Sequence, residues 1–310
     1  SYSSWGGKRM HGQKYLLTNV LKKELKFKGF LISDWAALDQ LPGSHTEQII
    51  AALNAGIDMV MLPYRPLEFI KEAKRAVKDG LVSMDRINDA VRRVLTVKLE
   101  YGLFEKPLHN WKEQPCLGNK NHREIARQAV RESMVLLKNK NNLLPLSKNL
   151  KELYVIGSAA DDIGIQCGGW TIEWQGKRGA ITPGTSLLSA LKQTLSEKTK
   201  ISFVKKIAEI KREATVLLVL GEEPYAEGFG DRADLRLKKE DRNLIASLKK
   251  KGHKVIIILF SGRPLLVTEE IKQVDAFVAA WLPGTEGLGI TDVLFGDFPF
   301  TGKSSYTWPI

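Results

Sequence analysis

Two acids in this chain stand where an α/β protein does its chemistry, each a few residues beyond an apolar run. Asp34 closes Gly29-Phe30-Leu31-Ile32-Ser33 and precedes Trp35. Such a run, bounded by polar signals, reads as a strand buried on both faces, as in a parallel sheet. A carboxylate after it lies at the C-terminal edge, where parallel α/β folds place catalytic groups. A plain turn or helix cap is the competing reading. Trp35 favours the first, because an amphipathic ring beside an acid suits the wall of a sugar site.

The second acid comes from residues 221–232, directly after the apolar run 216–220. Glu222, Glu223, Glu227 and Asp231 share this loop with Gly and Pro, so proximity alone does not choose among them. A carboxyl held near Tyr225 and Phe229 would have its pKa raised toward general-acid duty, which singles out Glu227. Residues 166–176 hold a third unusual cluster: Trp170, Trp174, Glu173 and three glycines. Glycines let a loop approach a ligand, and indoles offer flat faces to the C–H side of a sugar. One of the two indoles is expected to be a core anchor of the loop. The opening segment 1–12, with Tyr2, Trp5, Met10 and His11, reads as a strand end and loop. From it Tyr2 and Met10 join the candidate substrate contacts, and His11 reads as a structural hydrogen-bonder.

These groups must be carried by alternating strands and helices. Helical spacing marks 16–25, 46–55, 67–77 and 85–99, with Ser83 as an N-cap, and 56–62 reads as a second buried strand. Two or three strands before residue 104 cannot close an eight-stranded barrel. The stretch 105–120 is polar and rich in helix breakers, which suits a linker. Beyond it, a helix over 122–137 precedes strands at 153–156, 201–204, 215–220, 255–260 and 276–280, with helices near 186–195 and 240–250. The expected organisation is a partial barrel over 1–104, a linker over 105–120 and an αβα sandwich over 121–310.

With 310 residues, 43% of them hydrophobic, two domains are affordable. The net charge of +12 raises nucleic acid as a partner. The basic residues are dispersed among acids, however, and the run Lys249-Lys250-Lys251-Gly252-His253-Lys254 reads as a solvated helix end. No nucleic-acid partner is therefore expected. His45, His109, His122 and His253 are isolated and expected at the surface. Cys116 and Cys167 form no CxxC pair, which excludes a zinc knuckle and a disulfide scaffold. Apolar runs are too short to span a membrane. Gly157-Ser158-Ala159-Ala160 lacks dinucleotide spacing, and no P-loop, HExxH or GxSxG occurs, so no cofactor or metal is expected.

The chain resembles glycoside hydrolase family 3, in its plant-type β-D-glucan exohydrolase and β-glucosidase branch. The resemblance rests on Ser1-Tyr2-Ser3-Ser4-Trp5, residues 29–35, Ala55-Gly56-Ile57-Asp58-Met59 and Gly102-Leu103-Phe104. It continues through 135–139, 143–146, 168–176, 221–231, Ser261-Gly262-Arg263-Pro264 and 280–287. It implies the last strands of a (β/α)8 barrel followed by an αβα sandwich with a mostly parallel sheet, and an active site between them. It also implies Asp34 as nucleophile, Glu227 as acid/base, Trp35 and Trp174 as a clamp on the second glucose, and Tyr2 beside the nucleophile. The implied activity is retaining, exo-acting hydrolysis of β-glucan or β-glucoside oligosaccharides, in a secreted or periplasmic home. The alternatives are a β-xylosidase, a β-N-acetylglucosaminidase or a non-catalytic sugar-binding module. The family's earlier barrel strands, with their acid, Arg and Lys-His pair, have no counterpart here. The chain is thus expected to be a fragment, inactive without that N-terminal part. Ala36 and Gln40 depart from the polar or charged residues of plant members.

Overall fold

The structure, a computed structural model, describes residues 1–108 and 118–309. His109, Cys116 and part of the expected linker lie outside the described residues. The chain divides into two compact units, Ser1–Gln114 and Pro115–Ile310.

In the first unit a short hairpin of β1 (Ser4–Trp5) and β2 (Lys8–Arg9) leads into a π-type helix at Tyr15–Glu24. Three α-helices follow: α1 (His45–Ala55), α2 (Pro66–Lys78) and α3 (Met84–Glu100). Each start has a local cause. Ser44 and Glu47 form a reciprocal capping box on α1, Pro66 opens α2, and Ser83 Oγ accepts the Arg86 N–H at 3.2 Å on α3. Helix α1 stops at Gly56, whose φ of +113° suits glycine, and a Cβ there would run into Thr18 Oγ1.

The two expected strands of this unit reduce to a parallel pair of extended segments bridged at Ile32 and Met59. The Ser33 N–H donates to Met59 O at 2.9 Å and the Met59 N–H to Leu31 O at 3.0 Å. Burial on both faces is not what they show: Ile32 is 50% exposed and Met59 39%. Side chains alternate across an extended segment. The interior side takes Leu31 and Ser33 of the first segment and Val60 of the second, and the opposite side carries Ile32 and Met59. The interior is built from Leu38, Ile49, Ala52, Leu53, Ile57, Ala76 and Val82.

The second unit is a three-layer αβα sandwich. Its elements run α4 (Lys120–Ser133), β3 (Val135–Asn139), β4 (Glu152–Ile156), α5 (Ile163–Cys167), α6 (Leu187–Thr194), β5 (Lys200–Phe203) and β6 (Thr215–Gly221). They continue with α7 (Lys239–Lys250), β7 (Lys254–Phe260), α8 (Thr268–Gln273), β8 (Ala276–Trp281) and α9 (Gly287–Leu294). The six strands lie in the order β3-β8-β7-β6-β4-β5, parallel except for β3, which runs antiparallel to β8. The expected helix over 122–137 therefore ends early. An apolar Val-Leu-Leu run suits a strand as well as a helix, and pairing with β8 decides it.

Alternate residues of each central strand enter opposite cores. Leu217, Val219, Ile256 and Ile258 face one side with Leu187, Leu191, Ile290 and Leu294. Val216, Leu218, Ile257 and Leu259 face the other with Ile245 and Leu248. Burial on both faces explains why these strands read as unbroken apolar runs. His253, expected at the surface, is buried at the start of this layer, 1% exposed.

Helix α4 is tied to α9 by charge. Asp292, nearly buried, accepts from Arg127 Nε at 2.7 Å and Arg131 Nε at 2.6 Å. Burial pushes the Asp292 carboxyl up, but the two guanidiniums outweigh it and hold the pKa below the usual range. A depressed acid contributes stability above its unfolded pKa, about 3.9, and that contribution is lost as pH falls through the folded value. Asp292→Ala is expected to cost about 3 kcal/mol at neutral pH, because two arginines lose their partner. Urea unfolding at pH 7 checks this, and a loss below about 0.5 kcal/mol would show the clasp to be incidental.

Candidate active site

In the first unit Asp34 stands just past the Ile32–Met59 bridge. Ser33, buried, fixes the turn: its Oγ accepts the Met61 N–H at 2.8 Å and donates to Asp34 O at 2.9 Å. The Asp34 N–H donates to His11 Nε2 at 3.0 Å, and the Trp35 N–H donates to Asp34 Oδ1 at 2.8 Å. The backbone is thus anchored at successive residues, and one carboxylate oxygen is oriented by the next amide. The carboxyl itself is 40% exposed, open enough to meet a ligand. Trp35 is also exposed, and the Tyr2 hydroxyl donates to its carbonyl oxygen. Arg9 Nη1 in turn donates to Tyr2 O at 2.7 Å. Met10 opens the 3-10 turn that carries His11.

His11 is the contact that sequence reasoning left undeveloped. Its Nε2 accepts, so the ring is neutral with its proton on Nδ1. Burial pushes its pKa below the ordinary value, with the neighbouring Asp34 charge pulling the other way. A depressed histidine supports the fold above its unfolded pKa, about 6.5, and the support is lost as pH falls through the folded value. Lowering pH from about 7.5 to about 5 is expected to weaken the first unit, since a protonated Nε2 would face the Asp34 N–H donor to donor. His11→Gln should flatten that pH dependence. An unchanged slope in chemical denaturation would remove His11 from this role.

In the second unit the two unusual loops form one assembly. The 166–176 loop is pressed so closely on the acidic loop that a Cβ on Gly169 would overlap Tyr225 O. The Ala226 N–H donates to Gln175 Oε1 at 3.0 Å. Neither indole is a core anchor: Trp170 is 69% exposed and Trp174 47%. Instead Trp174 packs against Trp170, centroids 6.4 Å apart, and edge-on against Phe229 at 5.4 Å. Phe229 is 74% exposed, so the three rings make an outward aromatic platform. Sugar rings stack on such faces.

The loop's acids separate by their partners. Glu222 is held by Arg232 at 3.0 Å and Arg263 at 3.1 Å, and accepts from Tyr225 at 3.3 Å. The Arg263 guanidinium lies over the Tyr225 ring at 4.5 Å. Glu223 is paired with Lys238 at 2.7 Å. These are braces. Glu227 and Asp231 are exposed, and the Glu227 side chain has no hydrogen-bond or ion-pair partner among the described residues. The apolar enclosure expected around Glu227 is not supplied by its own loop, because Tyr225 is turned to Glu222 and Phe229 outward to Trp174. Glu227 opens a 3-10 turn with its own φ at +53°. The loop itself walls an open pocket of about 230 Å³, lined by Tyr225, Phe229, Arg232 and Arg263.

The profile of the glycosyl hydrolase family 3 C-terminal domain matches residues 134–310, and that of the family's N-terminal domain matches residues 1–97. The chain belongs to glycosyl hydrolase family 3. Its relatives in that family carry related names. The lysosomal beta glucosidase of Dictyostelium discoideum is 33% identical over 98% of this chain and 40% of its own length. A beta-xylosidase of Formosa agariphila is 31% identical over 99% of this chain and 46% of its own. The crystal structure of an exo-1,3/1,4-beta-glucanase from a Pseudoalteromonas species superposes on all of this chain and 41% of its own. That match has a TM-score of 0.91 and 41% identity. The chain therefore spans less than half the length of the curated relatives named here. The α/β architecture with its mostly parallel six-stranded sheet is that of this family's structures.

Among the described residues no group of His, Cys, Asp and Glu is gathered as a metal would require, and no helix is long and apolar enough to cross a membrane. Cys167 is a free thiol whose pKa burial pushes up. The roles of Gln175 and Ser33 escaped the sequence reading, and only their adjacency to Trp174 and Asp34 could have marked them. Phe229, expected to enclose Glu227, instead joins the aromatic platform.

Proposed function

We propose that this chain supplies the two carboxyls of a retaining, exo-acting β-glucosidase or β-glucan exohydrolase. Asp34 attacks the anomeric carbon while the bond to the leaving oxygen breaks and Glu227 gives that oxygen its proton. Glu227 then takes a proton from water, whose oxygen attacks the anomeric carbon and releases Asp34. Trp35 and Trp174 hold the second sugar, with Trp170, Tyr2 and Met10 as further contacts. One observation carries the reading: each unit presents an open carboxyl, anchored by its backbone and accompanied by exposed aromatic rings.

The test is hydrolysis of aryl β-glucosides and laminari- and cello-oligosaccharides, by this chain alone and with the N-terminal barrel part that the resemblance implies. Proton NMR of the first-formed sugar should show the β-anomer. An α-anomer would replace double displacement by single inversion, and no turnover with any combination would favour a sugar-binding module. A second reading, β-xylosidase, is favoured by the Formosa agariphila relative. Preference for aryl β-xylosides over β-glucosides would select it.

A further inference from the structure

We propose that Gln175 is a positioning residue for Glu227, coupling the aromatic platform to the acid; this rests on the reading of Glu227 as acid/base. Gln175 follows Trp174 directly, and its side chain holds the amide that directly precedes Glu227. The contact is the Ala226 N–H donating to Gln175 Oε1 at 3.0 Å, and Ala226 is buried, 3% exposed. Since the Glu227 side chain has no partner among the described residues, its place is set by its backbone. That backbone is strained: a φ of +53° is costly for a residue with a Cβ and persists only where neighbours hold it. On the far side the hold is local, the Asp231 N–H donating to Gly228 O at 3.1 Å. On the near side it is Gln175, reaching across from the other loop.

The amide orientation is dictated as well. Turned over, its NH2 would face the Ala226 N–H, donor against donor. Fixed as it is, Gln175 Nε2 is buried without a partner among the described residues. A buried donor left unused is a cost, and the bond that Oε1 takes from Ala226 is what offsets it. The Trp170 N–H donates to Trp174 O at 2.9 Å, closing the loop around the indoles. Movement of Trp174 is thereby linked to movement of Glu227 through one side chain. Occupation of the platform by a sugar would tighten the acid's position.

Two measurements test this on Gln175→Met, which keeps the size and removes the acceptor, and on Gln175→Glu, which keeps an accepting oxygen. The first is amide hydrogen exchange on this chain. Gln175→Met should speed exchange at residues 226–230 by about fivefold or more, with the strands β6 and β7 unchanged, and Gln175→Glu should restore protection. Equal acceleration throughout the unit would mean a merely structural role, and no acceleration would refute the coupling.

The second is rate against leaving group on the complemented chain. Loss of a well-placed acid should lower kcat/KM for poorly activated β-glucosides by about tenfold or more and leave dinitrophenyl β-glucoside nearly unaffected. Glu227→Gln serves as the reference. If Glu227→Gln lacks that leaving-group dependence, the acid/base reading fails. If it shows the dependence and Gln175→Met does not, only the positioning role falls.

Discussion

Asp34→Asn is expected to reduce β-glucoside turnover by about 10⁴-fold or more, the scale on which removal of a nucleophile acts. The substitution is conservative in geometry. The Asn carbonyl oxygen still accepts the Trp35 N–H that Asp34 Oδ1 now takes at 2.8 Å, and the His11 and Ser33 anchors bind backbone and so persist. What disappears is the charge and the nucleophilic oxygen. Stability should therefore stay within about 0.5 kcal/mol of wild type while activity collapses. The companion variant Asp34→Gly, supplied with azide, should regain rate and release α-glucosyl azide. Azide would then attack the anomeric face that the carboxylate had used. Turnover surviving in Asp34→Asn, or β-glucosyl azide from Asp34→Gly, would assign the nucleophile elsewhere.

Asp58→Ala is expected to destabilise the first unit by about 3–5 kcal/mol, enough to unfold a marginal domain. The Asp58 side chain is fully buried. It accepts from Lys22 Nζ at 2.7 Å and from the Leu31 N–H at 2.8 Å, and it pairs with Arg86. Arg86 also pairs with Asp89, which holds Arg93 at 3.0 Å, and Arg93 Nη1 donates to Phe27 O and Gly29 O, each at 2.7 Å. The network thus clamps the segment entering Asp34 to α3 and to the π-type helix. Lys22 is itself nearly buried, and burial pushes its pKa down despite its acid partners. Without Asp58 it faces Arg86 with no buried counter-charge. Chemical denaturation should show the loss, and joint replacement of Asp58, Lys22 and Arg86 by apolar residues should recover much of it. A cost under about 1 kcal/mol for Asp58→Ala would mean that water already screens the cluster.

Much of the fold was legible because its physics is local. Central strands of the second unit are unbroken runs of Val, Leu and Ile, and both faces of the sheet are covered, so composition and burial agree. Ser83 marked the start of α3 through a capping preference that acts within one turn. The reading failed where an apolar segment had two uses. Val135–Asn139 carries no signal distinguishing the tail of a helix from an edge strand, and β8 settles it by offering unpaired backbone groups. Residues 29–35 carry enough apolar side chains for two buried faces but show one, because Ile32 finds no cover.

The sequence by itself named the candidates: Asp34 after its apolar run with Trp35 beside it, and Glu227 among Gly and Pro with Tyr225 and Phe229 nearby. Residue type and chain neighbours are enough for that. Only the tertiary structure decided which acids remain open to react. Glu222 is taken up by Arg232 of its own loop and by Arg263 from beyond β7, Glu223 by Lys238, and the amide ahead of Glu227 is held from a different loop by Gln175. His11 and Asp58 gained their roles the same way, as distant chain segments met. Hydrogen bonds and ion pairs act over about 3–4 Å of space, whatever the separation along the chain.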